Sequence, residues 1–407
     1  MDNHDRALTI KEVAKFLNIS TQMVYNLVKD GSLKAFKIGT ASRIMYSDLL
    51  EYIQQQKEKF ARNHGNSGVQ PDDSVFKVSQ VSVQKGGFRV NDVSFSFPKG
   101  KSMALLGPSG SGKTLFLRAI AGLEPLENGA IFLGKSQIDT LAVQERKIGF
   151  VFENYALFPN LNARGNIEFP LNLQKKMKKV LQLETEKRIN ELHINASYLP
   201  HLPDELPEGM KQLVAIAREK NHEVDLFLMD EPMSKLDAAQ HLQMRVFIRK
   251  IIGDLGKTTL ISSNDPEDAL VLSDYLGVIV EGRLLQFGET WEVYNHPANL
   301  TVMEMTSRLG LNTIRVEVKN RLTQPYTVPV EKEDGMYNMA FRIEEIKLAS
   351  EGIPAKISFS RFFDGKRKLG FCEVGESKDV KLMLPIDVED EISFLPLSPQ
   401  FFPVREE

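Results

Sequence analysis

The chain has 407 residues, 42% of them apolar and 26% charged, with a formal net charge of −3 and one cysteine. That length predicts two to three domains, and the composition is that of a globular protein. The near-neutral charge excludes a global pull toward nucleic acid or membrane, the lone Cys372 excludes an internal disulfide framework, and no apolar run approaches the roughly 20 residues needed to span a bilayer. The polar, acidic start Met1–Asp5 does not read as a signal peptide, so a cytoplasmic protein is expected.

In chain order, the first block is residues 1–60. Thr9 and Glu12 form a capping box, which predicts a helix from about Ile10 with Val13, Phe16 and Leu17 on its apolar face. Asn18-Ile19-Ser20 reads as a turn, and Ser20 caps a second helix that buries Val24, Leu27 and Val28 and stops at Gly31. Two helices so spaced make a helix-turn-helix. A hairpin-like stretch, Leu33–Ile38 and Arg43–Tyr46, follows, and a third helix begins near Ser47-Asp48.

From Thr9 to Ser20, and again through Val24–Gly39 and Arg43–Ile53, the segment resembles the excisionase-type winged helix-turn-helix domains related to the MerR-like group. The resemblance implies that the second helix enters the major groove, with Thr21, Gln22, Tyr25, Asn26 and Lys29 facing DNA. It puts Lys37, Thr40, Ser42 and Arg43 in the wing. Residues 1–62 hold seven Lys and three Arg against four Asp and three Glu, a net +3. That is modest for displacing counterions, so a dimer or higher assembly is expected if DNA is the partner. The alternative is a helix-turn-helix used for protein contact.

Residues 61–74, ARNHGNSGVQPDDS, read as a linker. From 75 to 305, apolar strands alternate with helical stretches, which predicts an α/β core. Within it, Gly107-Pro108-Ser109-Gly110-Ser111-Gly112-Lys113-Thr114 fits the phosphate-binding loop G-x-x-x-x-G-K-[ST]. A strand at Met103–Leu106 and a helix at Leu115–Ala121, closed by Gly122, give the motif the context it requires. Gly107, Ser109, Gly110, Ser111 and Gly112 would curl backbone N–H groups around phosphate; Lys113 would reach the outer phosphates and Thr114 would hold Mg²⁺. The apolar run Leu226–Met229 ends in Asp230 and Glu231. Asp230 suits Mg²⁺, and Glu231 suits the catalytic base that polarises an attacking water.

These segments, together with Lys211–Arg218, Leu226–Ala238 and Asp265–Leu270, resemble the ATP-binding subunits of ABC transporters, nearest to the sulfate, maltose and molybdate importers. The resemblance implies ATP and Mg²⁺ as cofactors, a head-to-tail homodimer with ATP at the interface, and membrane permease subunits as partners. It also exposes departures. The signature L-S-G-G-Q reads Leu206-Pro207-Glu208-Gly209-Met210, so the hydroxyl and N–H that cap the outer phosphate are lost at Pro207, and Glu208 brings a like charge. Two unit charges about 4 Å apart at an effective dielectric of 20 cost roughly 4 kcal/mol. The Q-loop residue is Glu153, still able to reach Mg²⁺; the switch histidine is Asn264; the aromatic that stacks on adenine is Lys85, with Phe88 close by. Asp237 keeps the D-loop acid. Grip on ATP is thus expected to persist, while hydrolysis is expected to be slow or absent.

Residues 310–407 carry short β runs such as Thr313–Val318, Ala355–Ser360 and Val380–Leu384, which predict a small β-barrel or sandwich. Phe341–Gly352 and Val388–Gln400 resemble the entry and exit of the TOBE module of those importers. The expected whole is a DNA-binding regulator with an ABC-type ATP switch, or else the ATPase subunit of an importer.

Overall fold

A computed structural model describes residues 7–17, 21–29, 33–38, 41–45, 48–49, 74–173, 177–220, 224–326, 328, 330–364, 366–375, 377–385, 387–388 and 391–404. The chain divides into two compact units, Met1–Gln70 and Pro71–Glu407.

In the first unit, the capping box forms as the sequence predicts. The Thr9 N–H donates to Glu12 Oε2 at 2.8 Å, and the Glu12 N–H donates to Thr9 Oγ1 at 3.2 Å. Helix Ile10–Leu17 follows, then helix Thr21–Lys29. Leu8, Val13, Ala14, Val24, Leu33, Ile44 and Leu49 form the core, with Leu27 and Val28 against it. The hairpin strands are Phe36–Ile38 and Ala41–Met45; the first is shorter than the expected Leu33–Ile38, and the second starts before the expected Arg43. A third strand, Ala7–Thr9, pairs with Ala41–Met45 and was not expected. Its three residues are too few to show an alternating pattern. The turn at 18–20, Gly31, Thr40, the start of the third helix at Ser47 and the linker through Asp73 lie outside the described residues.

The second unit is built on a six-stranded sheet in the order Arg283–Glu289, Tyr275–Val280, Ser102–Leu106, Thr258–Ser263, Leu226–Asp230, Ile148–Val151. All neighbours are parallel except the antiparallel edge strand Arg283–Glu289. Parallel strands are covered on both faces and therefore read as unbroken apolar runs. Ser102–Leu106, Leu226–Asp230 and Thr258–Ser263 are accordingly buried at every position. A four-stranded antiparallel sheet, in the order Phe88–Pro98, Val75–Lys85, Asn128–Leu133, Ser136–Gln137, packs Val and Phe side chains of its first two strands into the same core.

Beyond residue 310 the chain forms two four-stranded antiparallel sheets around one core. Ile314, Val316 and Phe341 from one meet Ile353, Leu382 and Phe394 from the other, with the Phe341 and Phe394 rings 5.5 Å apart. The expected strands at 313–318, 355–360 and 380–384 all form. Arg342 joins this region to the helix Thr290–Asn295: it is 1% exposed, its guanidinium lies 3.7 Å from the Tyr294 ring centre, and Nη2 donates to the Tyr294 carbonyl at 2.7 Å.

Candidate nucleotide site

Four parallel strands end on one edge of the six-stranded sheet, and their C-terminal ends bring together residues far apart in sequence. Ser102–Leu106 runs into the phosphate loop, Ile148–Val151 toward Glu153, Leu226–Asp230 into Glu231, and Thr258–Ser263 into Asn264. Register sets Asp230 opposite Ser262 and Leu106 opposite Ser263.

The phosphate loop leads into helix Lys113–Ala121, which closes at Gly122 with φ +81° as the sequence predicts. Gly112 has φ +101°, and a Cβ there would lie 2.6 Å from Val90 Cγ2 and 2.8 Å from the Phe88 ring. Only glycine fits. The loop borders an open cleft of about 780 Å³ lined by Ser109, Gly110, Lys113, Thr114, Glu153 and Glu231 among others, and by both Lys85 and Phe88. Sequence spacing pointed to Lys85 at the adenine position. Lys85 Nζ is instead tied to Glu124 Oε1 at 2.5 Å, and Phe88 supplies the aromatic wall. Phe88 and Lys85 oppose each other across the turn between two antiparallel strands, so both reach the cleft.

Lys113 is 3% exposed. Its Nζ donates to the carbonyls of Gly107 at 2.8 Å and Pro108 at 3.0 Å, and lies 3.2 Å from Glu231 Oε1. A buried ammonium is costly unless so paired. Thr114 Oγ1 and Ser262 Oγ both donate to Asp230 Oδ1, at 3.0 and 2.6 Å. Ser262 Oγ also accepts the Glu231 N–H at 2.9 Å. Burial pushes the Asp230 carboxyl up, against those hydrogen bonds and with further push from the charges of Glu231 and Glu153. A cation would relieve this. The donors Thr114, Asp230 and Glu153 are all oxygen, the set that suits Mg²⁺. Glu231 itself sits at φ +43°, a left-handed conformation costing about 1–3 kcal/mol for a residue with a Cβ.

The opposite, signature-like end is at Leu206–Met210. Helix Glu208–Lys220 begins there, and the Pro207 carbonyl accepts the N–H groups of Met210 and Lys211 at 2.9 and 3.0 Å. Pro207 occupies the cap position without offering a side-chain acceptor. Glu208 is not a free charge. Lys211 Nζ donates to its Oε1 at 2.8 Å, the Tyr155 hydroxyl donates to it, and Lys235 lies near. Lys211 first, then Tyr155, hold its carboxyl below the ordinary range against partial burial. The helix start also favours a negative charge. Burial and then Glu208 push the Tyr155 hydroxyl up, and Lys235 Nζ is 5.5 Å from the Tyr155 ring centre. Arg218 holds the same loop by donating to the Ala156 and Tyr155 carbonyls at 2.6 and 3.2 Å. This knot joins three loops and could not be read from sequence, because Tyr155, Glu208 and Lys235 are brought together only by the tertiary fold.

Asp237 caps helix Ala238–Leu255 by accepting the Gln240 N–H at 2.9 Å. Asn264 is exposed at the end of its strand. In the separate N-terminal unit, Thr21, Lys29 and Lys37 are exposed and Ser42 and Arg43 half-buried; the side chains of Gln22, Tyr25 and Asn26 lie outside the described residues.

A family model described as ABC transporter matches residues 90–234, and one described as helix-turn-helix domain matches residues 7–57. The sulfate/thiosulfate import ATP-binding protein CysA of Bacillus cereus is 33% identical over 297 residues, 70% of this chain and 83% of that protein. The glucose import ATP-binding protein GlcV of Saccharolobus solfataricus is 31% identical over 323 residues, 78% of this chain and 90% of that protein. The Fe(3+) ions import ATP-binding protein FbpC of Fusobacterium nucleatum is 38% identical over 213 residues, but this chain spans only 57% of its length. Among the described residues no helix is long and apolar enough to cross a membrane. The phosphate loop at a parallel-sheet edge and the extent of these matches agree: the chain belongs to the ATP-binding proteins of ABC transporters, and it carries a helix-turn-helix domain ahead of that fold.

Proposed function

We propose that this protein is a cytoplasmic, ATP- and DNA-binding regulator whose ABC-type domain serves as a dimerisation switch, with hydrolysis slow or absent. Residues 107–114 cradle the phosphates, Thr114, Asp230 and Glu153 hold Mg²⁺, Glu231 polarises water, and Phe88 flanks the base. The observation that supports slow or absent hydrolysis is Glu208: its carboxylate sits at the helix start where, by resemblance to the family, a second subunit's ATP would dock, held by Lys211 and Tyr155. A phosphate arriving there meets a like charge and no hydroxyl. Closure of a homodimer would then set the spacing of two DNA readers, with Thr21 and Lys29 in the groove and Lys37 and Arg43 in the wing. The two-sheet region beyond residue 310 is read as a TOBE-like regulatory or scaffolding module.

A mobility-shift assay on the protein's own promoter, with and without ATP·Mg²⁺, tests the switch. An ATP-dependent shift is expected. Unchanged binding rejects the switch, and absent binding rejects the DNA role. The second reading is the ATPase subunit of an importer for an oxyanion or other small solute. It is favoured by relatives whose names are those of import proteins, and by the Asn154–Pro159 segment, which by resemblance belongs to the region that contacts membrane subunits in the family. Co-purification with membrane permease subunits would decide for it.

A further inference from the structure

Beyond residue 310, the strands Ile346–Phe362, Arg367–Val374 and Ser377–Pro385 lie side by side in one sheet. Successive side chains on a strand point to opposite faces. Cys372, Val380 and Leu382 point into the core, so Phe371 and Lys381 point away from it. Register sets Phe359 opposite Phe371, and Phe371 opposite Lys381. The outer face therefore presents aromatic rings. Phe359 is 52% exposed, Phe363 at the end of its strand is 43% exposed, and Phe371 is half-buried. The Phe359 and Phe371 ring centres lie 5.7 Å apart.

Each ring has a cation beside it. Arg361 stands 5.3 Å from the Phe359 centre, Lys381 5.9 Å from the Phe371 centre and Arg367 5.7 Å from the Phe363 centre. Arg367 is paired with Asp364 at 2.7 Å. Arg361 and Lys381 are exposed and make no ion pair among the described residues. Residues 356–371 hold five Lys or Arg against one acid, a net +4 in a chain of net −3. Glu373, opposite Lys356, bounds the basic stretch at one end.

Few partners match exposed rings interleaved with unpaired cations. A second copy of the chain would bring the same positive charge to a symmetric contact and be repelled. A bilayer takes its rings from a projecting segment or from one side of an amphipathic helix, whereas Phe359 and Phe371 lie within paired strands. Unpaired nucleotides supply both halves of the match: flat base faces that stack on aromatic rings, and a phosphate at every step. Bases inside a duplex are stacked on each other and cannot reach the rings.

We propose that this outer face binds single-stranded nucleic acid, with Phe359 and Phe371 stacking on bases and Arg361, Lys381 and the exposed Lys366 holding phosphates. The contact is separate from the helix-turn-helix and does not depend on the nucleotide site.

The test is fluorescence anisotropy of labelled oligothymidylate and oligouridylate of about 15 nucleotides, titrated with the full chain at about 50 to 200 mM salt. A parallel background carries Lys37→Ala and Arg43→Ala, which removes the wing's contacts. Binding of at least one oligomer is expected in both backgrounds, and the tighter of the two tells DNA from RNA. The slope of log affinity against log salt should be about −2, or three phosphates at about −0.7 each. Phe359→Leu keeps an apolar side chain but loses the ring, and should weaken binding about tenfold with the slope unchanged. Arg361→Ala should flatten the slope by about 0.7. Binding of neither oligomer by the native chain overturns the proposal, and flotation of such a chain with phosphatidylserine vesicles would give the face to a membrane instead. Native affinity and slope in both Phe359→Leu and Arg361→Ala also overturn it. So does loss of binding in the wing background alone, which would move the contact to the helix-turn-helix.

Discussion

The two ends of the nucleotide machinery in this chain follow opposite rules. At the phosphate loop, Lys113 Nζ donates to the loop's own carbonyls, and Thr114 and Ser262 both donate to Asp230; these residue types are the ones a phosphate and a divalent cation would need. At residues 206–210 the bonds are as complete, but they are made inward: Glu208 to Lys211 and Tyr155, the Pro207 carbonyl to its own helix. The first end is satisfied in a way that a nucleotide would exchange bond for bond. The second is satisfied in a way that leaves a nucleotide nothing to replace. On the proposed reading, a nucleotide contact can be absent without leaving a defect in the fold, because the helix start already holds a paired carboxylate.

Breaking the first end should give the largest effect. Lys113→Ala is expected to weaken ATP binding at least about 100-fold, or about 2.7 kcal/mol, read by calorimetric titration. Retained affinity would remove the phosphate-loop assignment. Repairing the second end should follow. Pro207→Ser with Glu208→Gly is expected to raise phosphate release about tenfold, since a hydroxyl returns and a like charge leaves; rapid release by the unmodified protein would erase the contrast between the two ends. Smaller again is the N-terminal unit. Lys37→Ala and Arg43→Ala should each lower the slope of log affinity against log salt by about 1 in DNA titrations.

The smallest effect concerns stability. Burial raises the Asp230 carboxyl, so the folded chain binds its proton more tightly than the unfolded chain. Stability is then lost as pH rises from the ordinary Asp range through the folded value, and the deficit persists at neutrality. Asp230→Asn, which still accepts from Thr114 and Ser262, should raise the melting temperature by about 2–4 °C at pH 7. The gain should shrink as pH falls toward the ordinary Asp range. The same variant should abolish any Mg²⁺ dependence of ATP binding.

Legibility in the sequence followed locality. The phosphate loop, its strand and its helix were readable because all their determinants lie within twenty residues. The capping box at Thr9 and Glu12 was readable for the same reason. Asp230 and Glu231 were readable as a strand ending in acids, but not the Ser262 hydroxyl that orients both, since its position depends on parallel register with a strand thirty residues on. Lys85 stood at the adenine position in linear spacing, and only the hairpin pairing of Lys85 with Phe88 brings the ring into the cleft. Glu208 was visible as a misplaced charge, whereas the Tyr155 hydroxyl that donates to it and the Lys235 charge near it, fifty-three and twenty-seven residues away, were not.

Arg342 carries one more lesson, for anyone who would dissect the molecule. A shortened chain ending after residue 305 would strip the guanidinium from the Tyr294 ring and leave that aromatic face open to solvent. Such a fragment would be sticky at its new terminus for reasons unrelated to nucleotide chemistry. The economical cut for isolating the ABC-type fold lies at the other extreme of the chain, near residue 70, where the two compact units part.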